Sequence, residues 1–452
     1  MTPAAGLTPA GLTPAGLGAA RRPAPSARGN GRLELPLDAA ARDEYAWWLR
    51  LTLTPGIGPA AARRLLEAFG LPEDVFRAAR TRIAAVLDAP RAAALLADDD
   101  AREAKIAAAL DWARSDENHL LALADPRYPQ PLLQIGDPPP LLYVRGSPEA
   151  LCGDLLAIVG SRHATPGGEA NAHDFARALA DEGLAICSGL ARGIDAAAHR
   201  GALEGRAGTI AVVGTGVDRV YPAAHRQLAH AIAQRGAIVS ELPLGTEVQR
   251  ANFPRRNRII AGLSLGVLVV EAAPHSGSLI TARHAAESGR EVMAIPGSIH
   301  SPVARGCHRL IREGAKLVES AEDVLAELRG QMRGRADGRV VGRMHEHTHE
   351  RTHEPRDAGA PPRVVHTERD PGAASAIAAA SQAARSASPA ARTLLQALGW
   401  DPVDVDTLIA RSALPAGEVA EALLELELAG LAQRWIDGRY VRAGHQAGRQ
   451  GR

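Results

Sequence analysis

The spacing of hydrophobic residues divides the chain into three ordered segments. Residues 43–124 repeat apolar positions at helical spacing, which predicts a small all-α domain. Residues 125–329 alternate short β-rich apolar runs with helical stretches. Residues 389–443 return to helical spacing in three runs, followed by two strand-like runs around Asp437-Gly438. The pattern predicts an α/β domain with a smaller module on each side.

The middle segment has the order of elements that is typical of a parallel sheet. Apolar runs joined by helices imply strands that are buried on both faces. The predicted strands are Leu155–Val159, Leu184–Cys187, Thr209–Val213, Ala237–Ser240, Val267–Val270, Glu291–Ile295 and Lys316–Val318. The predicted helices are Gly168–Glu182, Ile194–Leu203, Ala224–Gln234, Asn257–Leu263, Leu279–Ser288 and His308–Glu313. We therefore predict a central doubly wound, extended Rossmann-like and mostly parallel sheet, which binds ligands at the carboxyl ends of its strands.

The first segment contains the turn Thr54-Pro-Gly-Ile-Gly-Pro between two helical runs. This turn resembles the one in SAM/helix-hairpin-helix-like domains, whose glycine amides can hold a DNA phosphate. The same residues also form ordinary helix connectors. We favour the connector over a direct DNA contact.

The last segment predicts a winged helix, because three helices precede a hairpin. Its third helix carries four glutamates and neither arginine nor lysine. These glutamates are Glu418, Glu421, Glu425 and Glu427. An anionic helix is a poor match for DNA phosphates, so we favour a protein–protein or regulatory role for this module.

The remaining residues show neither the helical spacing of apolar positions nor strand-like apolar runs. Residues 1–42 begin with a five-residue repeat of Gly, Leu, Thr, Pro and Ala and predict a disordered leader. Residues 330–388 predict a disordered His/Ala-rich linker, and residues 444–452 a tail. The histidines within residues 345–354 are possible metal ligands, but the composition is more typical of a solvated linker. We therefore predict no metal site.

Composition and charge exclude several classes of protein. The formal net charge is +1, so a nucleic-acid site must be a local patch. The three cysteines, Cys152, Cys187 and Cys307, lie far apart without the spacing of a zinc site or a disulfide framework. The sequence contains no apolar run of about 18 residues and no signal-peptide pattern. We expect a cytoplasmic protein that does not contact a membrane.

Small and charged residues follow the predicted strands, at the edge where such folds bind ligands. Glycine allows backbone amides to approach an anion, and Ser or Thr adds hydroxyl donors. The turns are Gly160-Ser-Arg-His-Ala-Thr, Ser188-Gly-Leu-Ala-Arg-Gly-Ile-Asp, Gly214-Thr-Gly-Val-Asp-Arg-Val-Tyr-Pro, Glu241-Leu-Pro-Leu-Gly and Glu271-Ala-Ala-Pro-His-Ser-Gly-Ser. Turn geometry alone explains any one of them, but five converging turns favour an anion site.

A cluster of arginines lies where a helix is predicted to begin. Arg255, Arg256 and Arg258 follow Phe253 and precede an apolar run. The amino-terminal end of a helix carries partial positive charge and repels cations. A bound anion would offset this repulsion, so the cluster also favours an anionic ligand.

Motifs of common nucleotide enzymes and hydrolases are missing. The chain has no dinucleotide fingerprint G-x-G-x-x-G at its third strand, no P-loop and no G-x-S-x-G elbow. Asp195 and His199 lie four residues apart on one predicted helix face. We favour a role in orienting loops over a catalytic pair, and assign the same role to Glu241.

The motifs together resemble those of one family. They are Gly160-Ser-Arg, Ser188-Gly-Leu-Ala-Arg-Gly-Ile-Asp through His199, Tyr221-Pro, Ser240-Glu, Phe253-Pro-Arg-Arg-Asn-Arg-Ile-Ile, Ser276-Gly-Ser-Leu-Ile-Thr-Ala and Ile295-Pro-Gly. In this order they closely resemble the DNA-processing protein A family (DprA, also called Smf), over about residues 125–319. The flanking helical and winged-helix modules also fit this family.

The resemblance implies a bacterial cytoplasmic protein that binds single-stranded DNA, and duplex DNA more weakly. Family members form homodimers, protect incoming DNA and load RecA recombinase during natural transformation, with a single-strand-binding protein as a further partner. They are not known as enzymes, and no cofactor is implied. The implied DNA-binding residues are Gly160, Ser161, Arg162, Ser188, Gly189, Arg192, Gly193, Phe253, Arg255, Arg256, Asn257, Arg258, Ser276, Gly277, Ser278 and Thr281.

Several alternatives stay open. Phe253 either stacks on a base or anchors the following helix in the core, and one arginine of the cluster is expected to form an internal ion pair. A second function is a phosphoribohydrolase-like nucleotide enzyme, although Ile295-Pro-Gly-Ser-Ile lacks the second Gly and the Glu of its P-G-G-x-G-T-x-x-E signature. A third is a winged-helix transcription regulator, which the acidic third helix disfavours.

Overall fold

The computed structural model describes residues 39–336, 387–399, 402–434 and 438–442. Most of the predicted leader, nearly all of the predicted linker with its histidine tract, and the predicted tail lie outside these residues. Within the described ranges, no helix is long and apolar enough to cross a membrane. The same ranges contain no group of three or more metal-ligating side chains.

The first described part of the chain is helical and contains an apolar cluster of its own. Its helices are α1 Ala39–Leu53, α2 Pro59–Phe69, α3 Pro72–Arg77, α4 Arg80–Val86, α5 Ala89–Leu96 and α6 Asp100–Trp112. Leu51, Leu65 and Ile83 are fully buried in its apolar cluster. The turn between α1 and α2 needs glycine at Gly56, whose φ is +80°.

A nine-stranded sheet forms the centre of the molecule. Its strands are β1 Asn118–Ala122, β2 Leu141–Gly146, β3 Leu155–Val159, β4 Ala185–Ser188, β5 Thr209–Val212, β6 Ala237–Ser240, β7 Gly266–Val269, β8 Glu291–Ala294 and β9 Lys316–Leu317. Their order is β1-β2-β6-β5-β4-β3-β7-β8-β9. Strands β3 to β9 are parallel, while β1 and β2 pair antiparallel. The order reverses between β3 and β7, which is the topological switch point of the sheet.

Helices cover both faces of this sheet. They are α7 Pro166–Asp181, α8 Ile194–Glu204, α9 Arg226–Arg235, α10 Asn252–Leu263, α11 Ser278–Glu287, α12 Arg305–Arg312 and α13 Ala321–Ala336. Short 3₁₀ helices lie at Gln130–Gln134, Pro148–Cys152 and Ala223–His225. The five residues of strand β3 are all apolar because both faces of the strand are buried. Ala157 packs in the cluster that contains α10, whereas Leu156 and Ile158 pack in the cluster of α7 and α8.

The predicted doubly wound, mostly parallel sheet is confirmed, with differences at its margins. Helix α13 was not predicted, and its residues 330–336 fall in the segment assigned to the disordered linker, just as α1 begins at Ala39 within the predicted leader. Strands β1 and β2 were not predicted, and β1 falls within residues 43–124, which were assigned to the helical domain. The last helix of that part ends at Trp112, and residues 118–122 join the sheet. Helix α10 begins at Asn252, five residues before the predicted start, so the arginine cluster lies in its first two turns.

The predicted winged helix is also confirmed. Its elements are α14 Pro389–Ala397, α15 Val405–Ser412, α16 Ala416–Leu428, β10 Ala432–Arg434 and β11 Tyr440–Arg442, the two strands pairing antiparallel. Helix α16 buries Val419 and Leu426 in the core of this module. Its opposite side exposes Leu424 and Leu428 together with Glu421.

Candidate nucleic-acid interface

The loops after β3 and β4 touch at the carboxyl edge of the sheet. The Ile194 amide donates to the Ser161 carbonyl oxygen at 3.2 Å. Gly193 has φ +71°, and a Cβ at this position would collide with the same carbonyl. Only glycine at position 193 allows the two loops to come this close. Arg162 and Arg192 flank the contact, and both are exposed.

Gly160 and Ser161 shape the first of these loops. A Cβ on Gly160 would lie 2.6 Å from Cγ1 of Ile194, so the first turn of α8 packs directly on the backbone there. The Ser161 hydroxyl accepts a hydrogen bond from the His163 amide at 3.1 Å. The serine side chain therefore stabilises its own turn.

Arg256 is buried and holds the loop after β4. Its Nη1 donates to the carbonyl oxygen of Gly189 at 2.7 Å and to that of Val212. The guanidinium lies so close to Gly189 that a Cβ there would collide with it. The side chain is 5% exposed, so Arg256 supports the site from inside.

Asp195 holds the same loop through its amides. Its Oδ2 accepts hydrogen bonds from Gly189 at 3.2 Å and from Ala191 at 3.3 Å. Burial raises the pKa of Asp195, while the nearby positive charge of Arg256 opposes that shift. The carboxylate and the guanidinium therefore fix one loop from two elements, α8 and α10.

His225 was not predicted and stabilises a strained residue of this loop. Leu190 has φ +60°, which is uncommon for a residue other than glycine. Its carbonyl oxygen lies 3.0 Å from Nδ1 of the buried His225, which therefore donates the hydrogen bond. Because the pair is 35 residues apart in sequence, no local spacing indicated it.

Arg258 is the cation of a buried ion pair. Its Nη2 lies 2.5 Å from Oε2 of Glu241, and its Nε lies 3.0 Å from Oδ2 of Asp137. The side chains of Arg258 and Glu241 are only 8% and 7% exposed. Burial raises the pKa of Glu241, which the positive charges of Arg258 and Arg255 oppose. Arg255 alone of the three clustered arginines is exposed.

Ser188 and His199 lie in the interior. The Ser188 hydroxyl donates to the Ile158 carbonyl oxygen at 2.6 Å and so links β4 to β3. His199 Nδ1 lies 2.7 Å from the hydroxyl of Thr209, which donates to the Ile186 carbonyl oxygen. The predicted role of His199 in orienting loops is therefore replaced by one in tying α8 to β4 and β5.

His199 is neutral in this setting. Burial and the positive charge of Arg256 lower its pKa to about 3. Because Thr209 donates to a carbonyl, its hydroxyl accepts from Nδ1, which therefore carries the histidine proton. His199 and Asp195 thus have separate partners, and no catalytic pair joins them.

Glu271 fills the switch point between β3 and β7. Its carboxylate accepts hydrogen bonds from the Thr165 amide at 2.9 Å and the Thr165 hydroxyl at 2.6 Å. A Cβ on Gly168, in the first turn of α7, would also collide with this carboxylate. The position where related folds place a ligand phosphate already holds a negative charge of the chain itself.

The loop after β7 presents one exposed glycine. Asn257 Nδ2 donates to the Gly277 carbonyl oxygen at 3.2 Å, and the hydroxyls of Ser276 and Ser278 lie 2.7 Å apart. Ser278 and Thr281 are buried, whereas Gly277 is exposed and a Cβ there would meet no atom within 4 Å. Of the residues predicted to bind DNA in this loop, the Gly277 backbone and part of Ser276 are therefore accessible.

Two aromatic rings and a cation meet beside the loops. Cζ of Arg162 lies 5.2 Å from the centroid of the Phe253 ring. The Tyr221 ring centroid lies 6.0 Å from that of Phe253, with 47° between the planes. Phe253 is half-buried, whereas Tyr221 is 49% exposed. Tyr221 was noted as part of a motif but was not predicted as a site residue.

The arrangement suits an anionic, extended ligand. Arg162 and Arg192 are exposed on loops that touch one another, and Arg255 is exposed in the first turns of α10. Buried partners hold these loops in place. Cationic side chains next to exposed aromatic surface are the usual elements of single-strand binding grooves.

Two family models match this chain. The model described as DNA recombination-mediator protein A matches residues 119–329, and the one described as DprA winged helix domain matches residues 378–438. Protein Smf of a Synechocystis species is 34% identical over 415 residues, which cover 89% of this chain and 100% of that protein.

Proteins named DprA are also similar. The DNA processing protein DprA of Streptococcus pneumoniae is 48% identical over 206 residues, 46% of this chain and 73% of that protein. The X-ray structure of the same species' DNA processing protein A superposes with a TM-score of 0.56 at 38% identity, covering 63% of this chain and 97% of the other. From the matched models and the full-length similarity to Smf, the chain belongs to the DNA processing protein A (DprA/Smf) family.

Proposed function

We propose that this chain is a single-stranded DNA-binding recombination mediator of the cytoplasm. It protects incoming DNA and loads RecA recombinase onto it during natural transformation. Family membership supports this proposal. The observation that carries it is the exposure of Arg162, Arg192 and Arg255 along the carboxyl edge of the sheet, in a chain whose net charge is only +1.

The proposed DNA contacts are fewer than the sequence suggested. Exposure favours Arg162, Arg192, Arg255 and the Gly277 backbone as groups that meet phosphates. Ten of the other predicted residues act as supports that hold these groups in place. They are Gly160, Ser161, Ser188, Gly189, Gly193, Arg256, Asn257, Arg258, Ser278 and Thr281.

The Glu271 carboxylate at the switch point disfavours the alternative of a nucleotide-processing enzyme. A nucleotide phosphate at the start of α7 would have to displace the Glu271 carboxylate from Thr165. The separate partners of Asp195 and His199 also argue against a catalytic pair on α8. We propose a protein that binds DNA without transforming it and needs no cofactor.

The partners of the protein follow from the family. We propose a homodimer that contacts RecA and a single-strand-binding protein, and that binds duplex DNA more weakly than single strands. The exposed Glu418 and Glu421 on α16 favour a protein partner over a DNA groove for the winged helix. The same acidic surface disfavours the transcription-regulator alternative.

RecA loading is tested by RecA ATP hydrolysis on single-stranded DNA coated with single-strand-binding protein. We expect the full chain to shorten the lag before hydrolysis begins. Arg162→Ala/Arg192→Ala should lose this effect, whereas Arg177→Ala, an exposed arginine of α7, should retain it. An unchanged lag with the wild-type chain, despite tight oligonucleotide binding, would contradict the loading function.

A further inference from the structure

Helix α16 of the winged helix exposes apolar and acidic side chains on one face. Leu424 is 57% exposed and Leu428 is 82% exposed, although the opposite side of the helix packs in the core of the module. Glu421 lies one turn before Leu424, and Glu418 and Glu427 flank these residues on either side. Exposed leucines rimmed by carboxylates indicate a docking surface for a basic partner with apolar groups of its own.

The carboxyl edge of the central sheet has the complementary surface. Arg162, Arg192 and Arg255 are exposed there. Tyr221 and Val248, on the loops after β5 and β6, are 49% and 45% exposed. A backbone hydrogen bond of 3.0 Å joins these two loops. The Tyr221 ring and the Arg162 guanidinium approach the same phenylalanine ring, so the apolar and basic groups adjoin.

The connection between the two domains is long enough for these surfaces to meet. Helix α13 ends at Ala336, and the described part of the winged-helix module begins at Ala387, which leaves the 50 residues 337–386 between them. A chain of this length spans about 75 Å as a continuous helix and about 165 Å when fully extended. A domain of about 200 residues is only about 40 Å across. Because both surfaces belong to one chain, their contact is intramolecular and does not depend on protein concentration.

Building on the proposed function, we propose that α16 docks on the carboxyl edge of the same chain and competes there with DNA. Its glutamates pair with the arginines that meet phosphates in the complex, and its leucines cover the exposed Tyr221 and Val248. Exposed ion pairs of this kind are individually weak, so a strand that offers many phosphates displaces the helix. The winged helix thus lowers the affinity for DNA without contacting DNA, and its acidic face becomes free when a strand binds.

The first test is oligo(dT) binding by the full chain, measured by fluorescence anisotropy. We expect Glu418→Gln/Glu421→Gln to bind about 2- to 30-fold more tightly than the wild type, the effect of losing two exposed ion pairs that compete with DNA. The gain should decrease as salt rises, because salt screens the docked contact. Glu182→Gln/Glu322→Gln changes the net charge equally at exposed positions of the central domain and should bind as the wild type does.

A second variant removes the apolar contact without changing the charge. Leu424→Ser/Leu428→Ser should also bind oligo(dT) more tightly than the wild type. Because both leucines are exposed, these substitutions leave the core of the winged helix intact. Leu71→Ser, at an exposed leucine of the helical part, is the matched control and should not change the affinity.

Photocrosslinking detects the docked helix directly. With benzoylphenylalanine in place of Leu424, we expect an intramolecular crosslink to a peptide that contains Tyr221 or Val248. Excess oligo(dT) should suppress this crosslink. The triple variant Arg162→Ala/Arg192→Ala/Arg255→Ala should suppress it as well, because it removes the cations that hold the glutamates.

Other occupants of the acidic face give different results. Wild-type affinity in both double variants of α16, or a crosslink that oligo(dT) does not suppress, would overturn the docking. Crosslinks only between chains, with a changed sedimentation coefficient for Leu424→Ser/Leu428→Ser, would assign the face to a second copy and also overturn it. A failure of the proposed function is distinguishable, since no form of the chain, including the α16 variants, would then bind oligo(dT), and the competition would fail with it.

Discussion

At the residue scale, identical side chains in one helix turn have different roles. Arg255 is exposed, Arg256 donates to two loop carbonyls, and Arg258 pairs with Glu241 and Asp137. The sequence predicted the cluster and an internal ion pair for one of its arginines, but not that Arg258 is the one that forms it. The sequence did contain one indication that some of these arginines are buried. The apolar run after the cluster has no polar face, and such a helix is buried on nearly all sides.

The first prediction concerns the ion pair of Arg258. Arg258→Met should lower the free energy of unfolding by about 3–5 kcal/mol, because it leaves the buried Glu241 carboxylate unpaired. Arg255→Met, on the exposed neighbour, should change it by less than about 0.5 kcal/mol. Calorimetry checks both values. Adding Glu241→Gln to Arg258→Met should restore part of the loss, and the account fails here if the two single variants are equally stable.

The second prediction concerns the protonation of His199. Its pKa is about 3 in the folded protein, below the usual value of about 6.5 for an unfolded chain. The folded state therefore excludes a proton that the unfolded state binds below pH 6.5. This histidine's contribution to stability is complete above that pH and decreases by about 1.4 kcal/mol per pH unit as the pH falls toward 3.

NMR of histidine-labelled protein tests this directly. The His199 ring signals should stay those of the neutral Nδ1-protonated form from pH 7 to 5. A His199 midpoint near pH 6.5 would show that burial and Arg256 do not suppress its charge.

At the scale of elements, the sequence predicted the strands and helices that follow from the local spacing of hydrophobic residues. Strand β3 and its partners follow from consecutive apolar runs, and α14 to α16 from helical spacing. Strand β1 was missed because its residues continue an alanine- and leucine-rich stretch, and only pairing with β2 makes it a strand. The contacts of His225 and Glu271 were missed because they join loops 35 and 106 residues apart.

The third prediction concerns the contact between two of these loops. Gly193→Ala should destabilise the protein by about 1–3 kcal/mol from its φ of +71° alone, before the collision with Ser161 is added. It should also weaken oligo(dT) binding, because the loops carrying Arg162 and Arg192 must separate. Gly277→Ala is the matched control for stability alone, since its φ is −62° and its surroundings are open. Equal stability of the two variants by calorimetry would contradict this description of the turn.

At the scale of the whole molecule, the proposed function depends on local charge placed on a chain whose formal net charge is +1. The switch point, which binds ligands in related folds, is filled by Glu271, and the exposed arginines lie on neighbouring loops and at the start of α10 instead. On the winged helix, α16 exposes glutamates with Leu424 and Leu428. The sequence predicted the edge of the sheet as the site, but which residues reach solvent there depended on tertiary contacts.

The most direct test of the account is the salt dependence of oligo(dT) binding, measured by fluorescence anisotropy. The wild type is compared with Arg162→Ala/Arg192→Ala/Arg255→Ala, and Arg177→Ala is the control. Three lost phosphate contacts on a single strand should reduce the slope of log K against log salt by about 2, while the control keeps the wild-type slope. An unchanged slope in the triple variant would show that the DNA backbone binds elsewhere on the protein.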